Sequence, residues 1–135
     1  MYASQGANAY ARISLQSKLA GATPHQLITM LFDGAHSAIL QAAIHFENGN
    51  VAQRGKMISK AINIIDNGLR AALDHETGKG IAADLEQMYE YMSRTLLEAN
   101  LHNNPEPLKH IDGLLMKLAA TWKEIEPAQK RVRYG

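Results

Sequence analysis

Apolar residues recur at alternating steps of three and four along four stretches of the chain. This spacing places them on one face of a helix, because an α-helix turns once in about 3.6 residues. The first stretch begins at Thr23-Pro24-His25-Gln26, where a threonine and a glutamine can form a capping box and a proline suits the first helical position. Its stripe runs from Ile28 to Phe46 and ends at Asn48-Gly49-Asn50.

Three further stretches repeat this pattern. The second covers about 51 to 76 and stops near Gly78-Lys79-Gly80, and the third covers about 80 to 102. The fourth begins after Asn103-Asn104-Pro105 and is closed by Pro127. Short polar connections make consecutive helices run in opposite directions, and this apolar spacing favours coiled-coil-like packing. The sequence therefore predicts an all-α fold, an antiparallel four-helix bundle.

A chain of 135 residues is long enough for one domain with its own core. Within it we expect a short mobile N-terminal arm or helix over 1–22, the bundle over 23–126 and a disordered tail over 127–135. The arm contains Tyr10 among serine, glycine and asparagine residues that weaken a helix, and the tail has no apolar period.

Composition excludes several classes of function. The formal net charge is +1, so the chain has no global field for nucleic acid or a membrane surface, and we expect neither nucleic-acid binding nor direct membrane insertion. The absence of cysteine rules out disulfides and thiolate zinc sites. No leader-like start and no apolar run of membrane-spanning length is seen, which favours a cytoplasmic protein.

Candidate chemistry is sparse. Asp33 and His36 have the i, i+3 spacing of a di-metal carboxylate bundle, but no other acidic residue has a histidine three positions later. We therefore expect a solvated or capping His36, and no metal or other cofactor. Thr77-Gly78-Lys79-Gly80 lacks the first glycine of a phosphate loop and is interpreted as a turn between helices. No nucleophile has a neighbouring base, so an enzyme is not expected.

The stripes carry more flanking apolar residues than a minimal helix interface requires. A wider buried face explains this surplus, and so does an exposed groove that binds another protein. Four methionines fit the groove, because their side chains adapt to different partners, but they also fit a core: Met30, Met57, Met88 and Met92. The single tryptophan, Trp122, is predicted to anchor the fourth helix in the core.

Five phrases of the sequence resemble, in order, those of the flagellin-specific export chaperones, the FliS family, over about residues 8 to 126. They are Ala22-Thr23-Pro24-His25-Gln26-Leu27, Met30-Leu31-Phe32-Asp33-Gly34-Ala35, the run from Lys60 to Arg70, the run from Tyr89 to Asn100, and Trp122-Lys123-Glu124-Ile125.

The resemblance implies a cytoplasmic chaperone that binds the disordered C-terminal segment of flagellin, prevents its early polymerisation and helps to deliver it to the flagellar type III export gate. It implies no use of ATP and leaves open regulators of flagellar genes as further partners. Tyr10 matches a tyrosine linked in the family with covering the empty client groove and with contacts to the export gate. Ala7 stands where relatives can carry a larger apolar residue.

The client groove is predicted from residues that lie on or beside the stripes of the first three helices: Leu27, Leu31, Met57, Ile64, Ile65, Met88 and Met92. We expect a monomer or a weak dimer. Two alternatives remain at this stage, a structural or regulatory bundle that self-associates through the same apolar surplus and a metal-binding bundle built around His36.

Overall fold

Four helices account for most of the described chain. The computed structural model describes the backbone of residues 21–134 and the side chains of residues 21–125. Helix α1 spans Pro24–Glu47, α2 spans Val51–Ile64, α3 spans His75–Leu101 and α4 spans Glu106–Tyr134, while a π-helical segment, Ile65–Arg70, continues α2. Apart from its last two residues, the expected N-terminal arm lies outside the described residues.

Neighbouring helices run in opposite directions. Between α2 with its π-helical segment and α3, Arg54 contacts Asn100 and Arg70 contacts Glu86, so residue numbers fall along one helix as they rise along the other. The same reversal holds between α1 and α4 and between α1 and α2. Helices α1 and α3 each pack against both α2 and α4. The predicted antiparallel four-helix bundle is confirmed.

The core lies along the bundle axis and has two kinds of side chain. Its largest fully buried members come from all four helices and the π-helical segment: Ile39, Ile58, Ile65, Met92, Leu96, Ile111 and Leu115. Small residues occur where α1 meets α2, since Gly34 lies against Ile64, and Ala35, Ala42 and Ala61 of these helices have no solvent exposure. Because these side chains are short, the two helices can approach closely.

The predicted ends of α1 are confirmed by its caps. The Thr23 side chain accepts a hydrogen bond from the backbone N–H of Gln26 at 3.1 Å, and the Gln26 side chain accepts one from the Thr23 N–H at 2.9 Å. At the other end Asn48 caps the helix, and Gly49 has a φ of +67° that a residue with a Cβ rarely adopts.

The predicted boundary between the second and third helices is wrong by several residues. The second was expected to run to residue 76, but its regular part ends at Arg70 and α3 begins at His75. The Asp74 side chain causes this early start, because it accepts hydrogen bonds from the backbone N–H groups of Glu76 and Thr77. The expected turn at 77–80 persists as a kink inside α3, where Lys79 has a φ of +43°.

The fourth helix also passes its predicted end. Pro127 was expected to close it, whereas the helical backbone continues to Tyr134. A proline removes one backbone hydrogen bond, yet it can be accommodated within a helix as a local distortion. The side chains of the predicted tail, 127–135, lie outside the described residues.

A second expectation, that no stretch is long and apolar enough to span a bilayer, is contradicted by helix α1. By length and composition it passes this test, with a mean hydropathy of 1.4 in its most apolar window. A core helix of a folded bundle passes the same test, and α1 places Phe32 and Ile39 in the core. On its outer face Asp33 lies 3.8 Å from Lys123 of α4. The hydropathy of α1 is therefore weak evidence for a membrane span.

A buried arginine joins α2 to the end of α3. Arg54 is 7% exposed, and its guanidinium donates hydrogen bonds to Asn100 Oδ1 at 3.0 Å, to the Asn100 carbonyl at 3.2 Å and to Asn103 Oδ1 at 2.6 Å. The same group lies 4.7 Å from the ring centroid of Phe46. A cation here satisfies acceptors at a helix C-terminus and stacks on an aromatic face.

We expect Arg54→Ala to lower the free energy of unfolding by about 2–4 kcal/mol, because it leaves buried acceptors without donors. Urea unfolding followed by circular dichroism measures this change. Arg94→Ala is the matched control, since Arg94 makes only an exposed pair with Glu90 on the same helix, and it should cost about 0.5 kcal/mol or less. Equal losses from the two variants would contradict a structural role for the Arg54 contacts.

Candidate functional site

An apolar cavity of about 330 Å³ opens at one end of the bundle. Its lining residues come from the start of α1, the end of the π-helical segment and the turn after it, the first half of α3 and the later part of α4. They are almost all apolar: Ile28, Phe32, Leu69, Ala72, Leu73, Ile81, Leu85, Tyr89, Leu118, Thr121, Trp122 and Ile125. We call this site the apolar cavity.

The cavity lies where the second helix of the bundle ends. The antiparallel arrangement brings the start of α1, the start of α3 and the later part of α4 to the same end as Arg70. Beyond Arg70 the chain turns through residues 71–74 and supplies only Ala72 and Leu73 to the lining. The kink at Lys79 keeps the first turn of α3 from continuing straight along the bundle. The core is therefore less completely filled at this end.

The cavity has a buried interior and an exposed rim. Phe32, Leu69 and Tyr89 belong to the buried core, whereas Ile81 is 74% exposed and Ile125 is 38% exposed. An exposed isoleucine beside an apolar cavity adds surface that another apolar molecule could cover. A cavity of this size and lining lies within the usual range for binding sites, roughly 300–1,000 Å³.

Trp122 closes one side of the cavity and contacts the first turn of α1. Its indole ring stacks on the His25 ring at 4.7 Å between centroids, and the indole N–H donates a hydrogen bond to the His25 carbonyl at 3.0 Å. Trp122 packs against the core, as predicted, but it also lines the cavity.

A second surface depression, the polar groove, lies between α2 with its π-helical segment and α3. Its lining is polar apart from Ile62 and Leu97. The lining residues are Ser59, Ile62, Asn63, Asp66, Asn67, Arg70, Glu90, Ser93, Arg94 and Leu97. The charges in it are largely paired. Ser93 donates a hydrogen bond to Asp66 at 2.8 Å, and Arg94 donates one to Glu90 at 3.0 Å. Since these groups satisfy one another, the polar groove offers less to a ligand than the apolar cavity.

The residues predicted for the client groove do not line the apolar cavity. Ile65 and Met92 have no solvent exposure and belong to the core, so they cannot contact a client without rearrangement. The other five are half-buried: Leu27, Leu31, Met57, Ile64 and Met88. Two of these five lie between α1 and α2, where Leu31 packs beside Gly68 and Ile64 beside Gly34. The role of the five half-buried residues in binding stays a prediction, and Tyr10 lies outside the described residues.

The sequence did not indicate that the residues lining the apolar cavity come together at one end of the bundle. Most of them lie on or beside the apolar stripes of the helices, as the core residues also do. Helical periodicity identifies which face of a helix is buried. It does not show where along the bundle a neighbouring helix ends. The signal that could have located the cavity is Asp74, whose capping role marks where the second helix must already have ended.

His36 forms an interhelical pair instead of being solvated or capping a helix. Its Nδ1 lies 2.7 Å from Asp112 Oδ1 of α4, and both side chains are partly buried. Asp33, the carboxylate that a metal half-site with His36 would use, lies near Lys123. Within the part of the chain that the structure describes, no cluster of three or more histidine, aspartate or glutamate residues could hold a metal ion.

Burial raises the pKa of the Tyr89 phenol from 10.0 to about 12. We therefore expect the free energy of unfolding to fall as the pH rises from about 10 to about 12, because the unfolded chain loses this proton before the folded protein does. Urea unfolding across this range measures the fall, which Tyr89→Phe should make shallower. Tyr91→Phe, at an exposed phenol on the same helix, is the control and should keep the wild-type slope.

Comparison with known proteins assigns the family. The family profile described as "Flagellar protein FliS" matches residues 6–129. The flagellar secretion chaperone FliS of Salmonella typhimurium is 50% identical over 127 residues, which cover 94% of each chain, and that of Escherichia coli K12 is 43% identical over 124 residues, covering 92% of this chain and 91% of the relative. The FliS of Bacillus subtilis is 30% identical over 120 residues, covering 89% and 88%. The chain belongs to the FliS family of flagellar secretion chaperones.

Proposed function

We propose that this protein binds the disordered C-terminal segment of flagellin in the bacterial cytoplasm, prevents its premature polymerisation and assists its delivery to the flagellar type III secretion apparatus. Membership of the FliS family supports the proposal. The observation that carries it in the structure is the apolar cavity with its exposed rim at Ile81. The mechanism is masking of apolar surface, with no catalytic step.

Physical chemistry favours a client that folds as it binds. A disordered segment must lose conformational entropy on binding, and burial of apolar side chains offsets that loss. The lining of the apolar cavity offers this burial, since Tyr89 and Thr121 are its only residues with a hydroxyl group. An amphipathic helix of the client could place two or three apolar side chains in the cavity and leave its polar face in water.

The proposal also covers the N-terminal arm, the further partners and the oligomeric state of the free protein. The N-terminal arm with Tyr10 would cover the client site when it is empty and contact the export gate. Regulators of flagellar genes remain possible additional partners, and the free protein would be a monomer or a weak dimer. Light scattering of the protein alone and with flagellin separates this function from self-association of the bundle.

The cavity proposal predicts that Ile81→Asp weakens client binding at least about tenfold, which corresponds to about 1.4 kcal/mol, because a carboxylate would replace an apolar contact. Titration calorimetry with a peptide covering the C-terminal segment of the organism's own flagellin measures the affinity. Ile44→Asp is the matched control, since Ile44 is 54% exposed on α1 and does not line the cavity.

The control should bind the peptide as the wild type does. Equal weakening by the two substitutions would contradict a client site at the apolar cavity, and so would undisturbed binding by Ile81→Asp. Wild-type binding should be saturable and one-to-one, with a negative heat-capacity change from apolar burial. The absence of any binding would count against the proposed function itself.

The half-buried residues chosen from the sequence form a separate prediction. Leu31→Asp and Met57→Asp should abolish client binding while the helical circular dichroism signal persists. If the helical signal is lost instead, these positions, which pack against the core, serve the fold. The same peptide titration, with circular dichroism of each variant, distinguishes the two outcomes.

A further inference from the structure

His25 and Trp122 hold each other through two hydrogen bonds and a ring stack. His25 Nε2 lies 2.7 Å from the carbonyl oxygen of Trp122, and a carbonyl can only accept, so Nε2 carries the proton and donates. The indole N–H of Trp122 donates in return to the His25 carbonyl at 3.0 Å. The two rings are nearly parallel, with an interplanar angle of 8°.

These contacts determine both the position and the plane of the indole. The indole takes part in the stack and in the hydrogen bond from its own N–H, while the His25 Nε2–H bond to the Trp122 backbone carbonyl fixes the imidazole on which the indole stacks. Together they join the first turn of α1 to the later part of α4 next to Ile28, which lines the cavity beside Trp122. His25 is only 8% exposed, so water competes little for its hydrogen bond.

The apolar cavity is large enough to admit part of an indole that is not held. A flexible tryptophan at its edge could turn inward and bury its own surface there, in competition with a client. Holding the indole before binding also avoids the entropic cost of ordering it during binding.

We infer that His25 is a positioning residue of the client site, which holds the Trp122 indole at the edge of the apolar cavity so that the indole does not fill the cavity before a client binds. This inference rests on the proposed function, because it assigns His25 a role at the site proposed for the client. His25 itself does not line the cavity and acts through Trp122.

The test compares His25→Phe with Thr23→Ala. Phenylalanine keeps an aromatic ring of similar size at position 25 but has no N–H to donate. Thr23→Ala removes the capping hydroxyl two residues earlier and weakens the same helix start, while leaving the His25–Trp122 pair in place. Trp122 is the only tryptophan of the chain, so its fluorescence reports on this pair without labelling.

We expect His25→Phe to weaken binding of the flagellin peptide about tenfold and to increase both the acrylamide quenching and the mobility of Trp122, measured by fluorescence anisotropy. Thr23→Ala should keep the wild-type quenching and bind the peptide within about twofold of the wild type. Circular dichroism of both variants checks that the bundle remains folded.

Three outcomes would overturn the inference. The first is wild-type affinity in His25→Phe, and the second is an equal loss of affinity in the two variants, which would indicate a general effect of the helix start. The third is weaker binding with unchanged quenching, which would mean that other contacts hold the indole.

Failure of the proposed function would appear differently, as an absence of peptide binding by the wild-type protein. The inference would still be tested in that case with the apolar dye anilinonaphthalene sulfonate. The wild type and Thr23→Ala should bind the dye alike, and His25→Phe should bind it more weakly. Equal dye binding by all three proteins would overturn the inference.

Discussion

Close packing of α1 on α2 is the contact on which the rest of the bundle depends. Ala35 and Ala42 of α1 and Ala61 of α2 are fully buried, and the two helices pack extensively against each other, so short side chains let their backbones approach closely. At Gly68 a Cβ would lie only 3.0 Å from a terminal carbon of Leu31, which leaves little space for a larger residue. This contact continues through the π-helical segment and then stops, because the chain turns away after Arg70. The position of the apolar cavity follows from where the contact ends.

The two ends of the bundle are closed in different ways. Where α1 ends and α2 begins, Arg54 satisfies the last acceptors of α3 and stacks on Phe46, so that end has its own polar network. At the opposite end His25 and Trp122 join α1 to α4, and the described side chains beside this pair line the apolar cavity. One end thus has its polar groups paired internally, whereas the other leaves apolar surface for a partner to bury.

The fold could be predicted from the sequence to the extent that it depends on local signals. The apolar spacing predicted four helices, and the capping residues at Thr23 and Gly49 marked the ends of α1 because cap chemistry is local. The start of α3 was missed because the residues from His75 to Gly80 carry no apolar stripe, and spacing alone cannot show that the Asp74 carboxylate binds two backbone N–H groups. The site was harder still. Met92 and Ile81 are both apolar residues of α3, yet one is fully buried and the other is 74% exposed, a difference that depends on where the neighbouring helix ends.

The apolar cavity and the polar groove differ in how far their groups already have partners. In the polar groove Asp66, Arg94 and Glu90 already have partners, so a ligand would have to break those contacts to make its own, with little net gain. At the apolar cavity a ligand meets side chains that are almost all apolar. Covering an exposed isoleucine side chain such as Ile81 contributes up to about 1.5–3 kcal/mol, and no polar contact has to be broken to obtain it. Such contacts fit the proposed function, because burial of apolar surface needs no fixed geometry and holds a segment without trapping it in one structure.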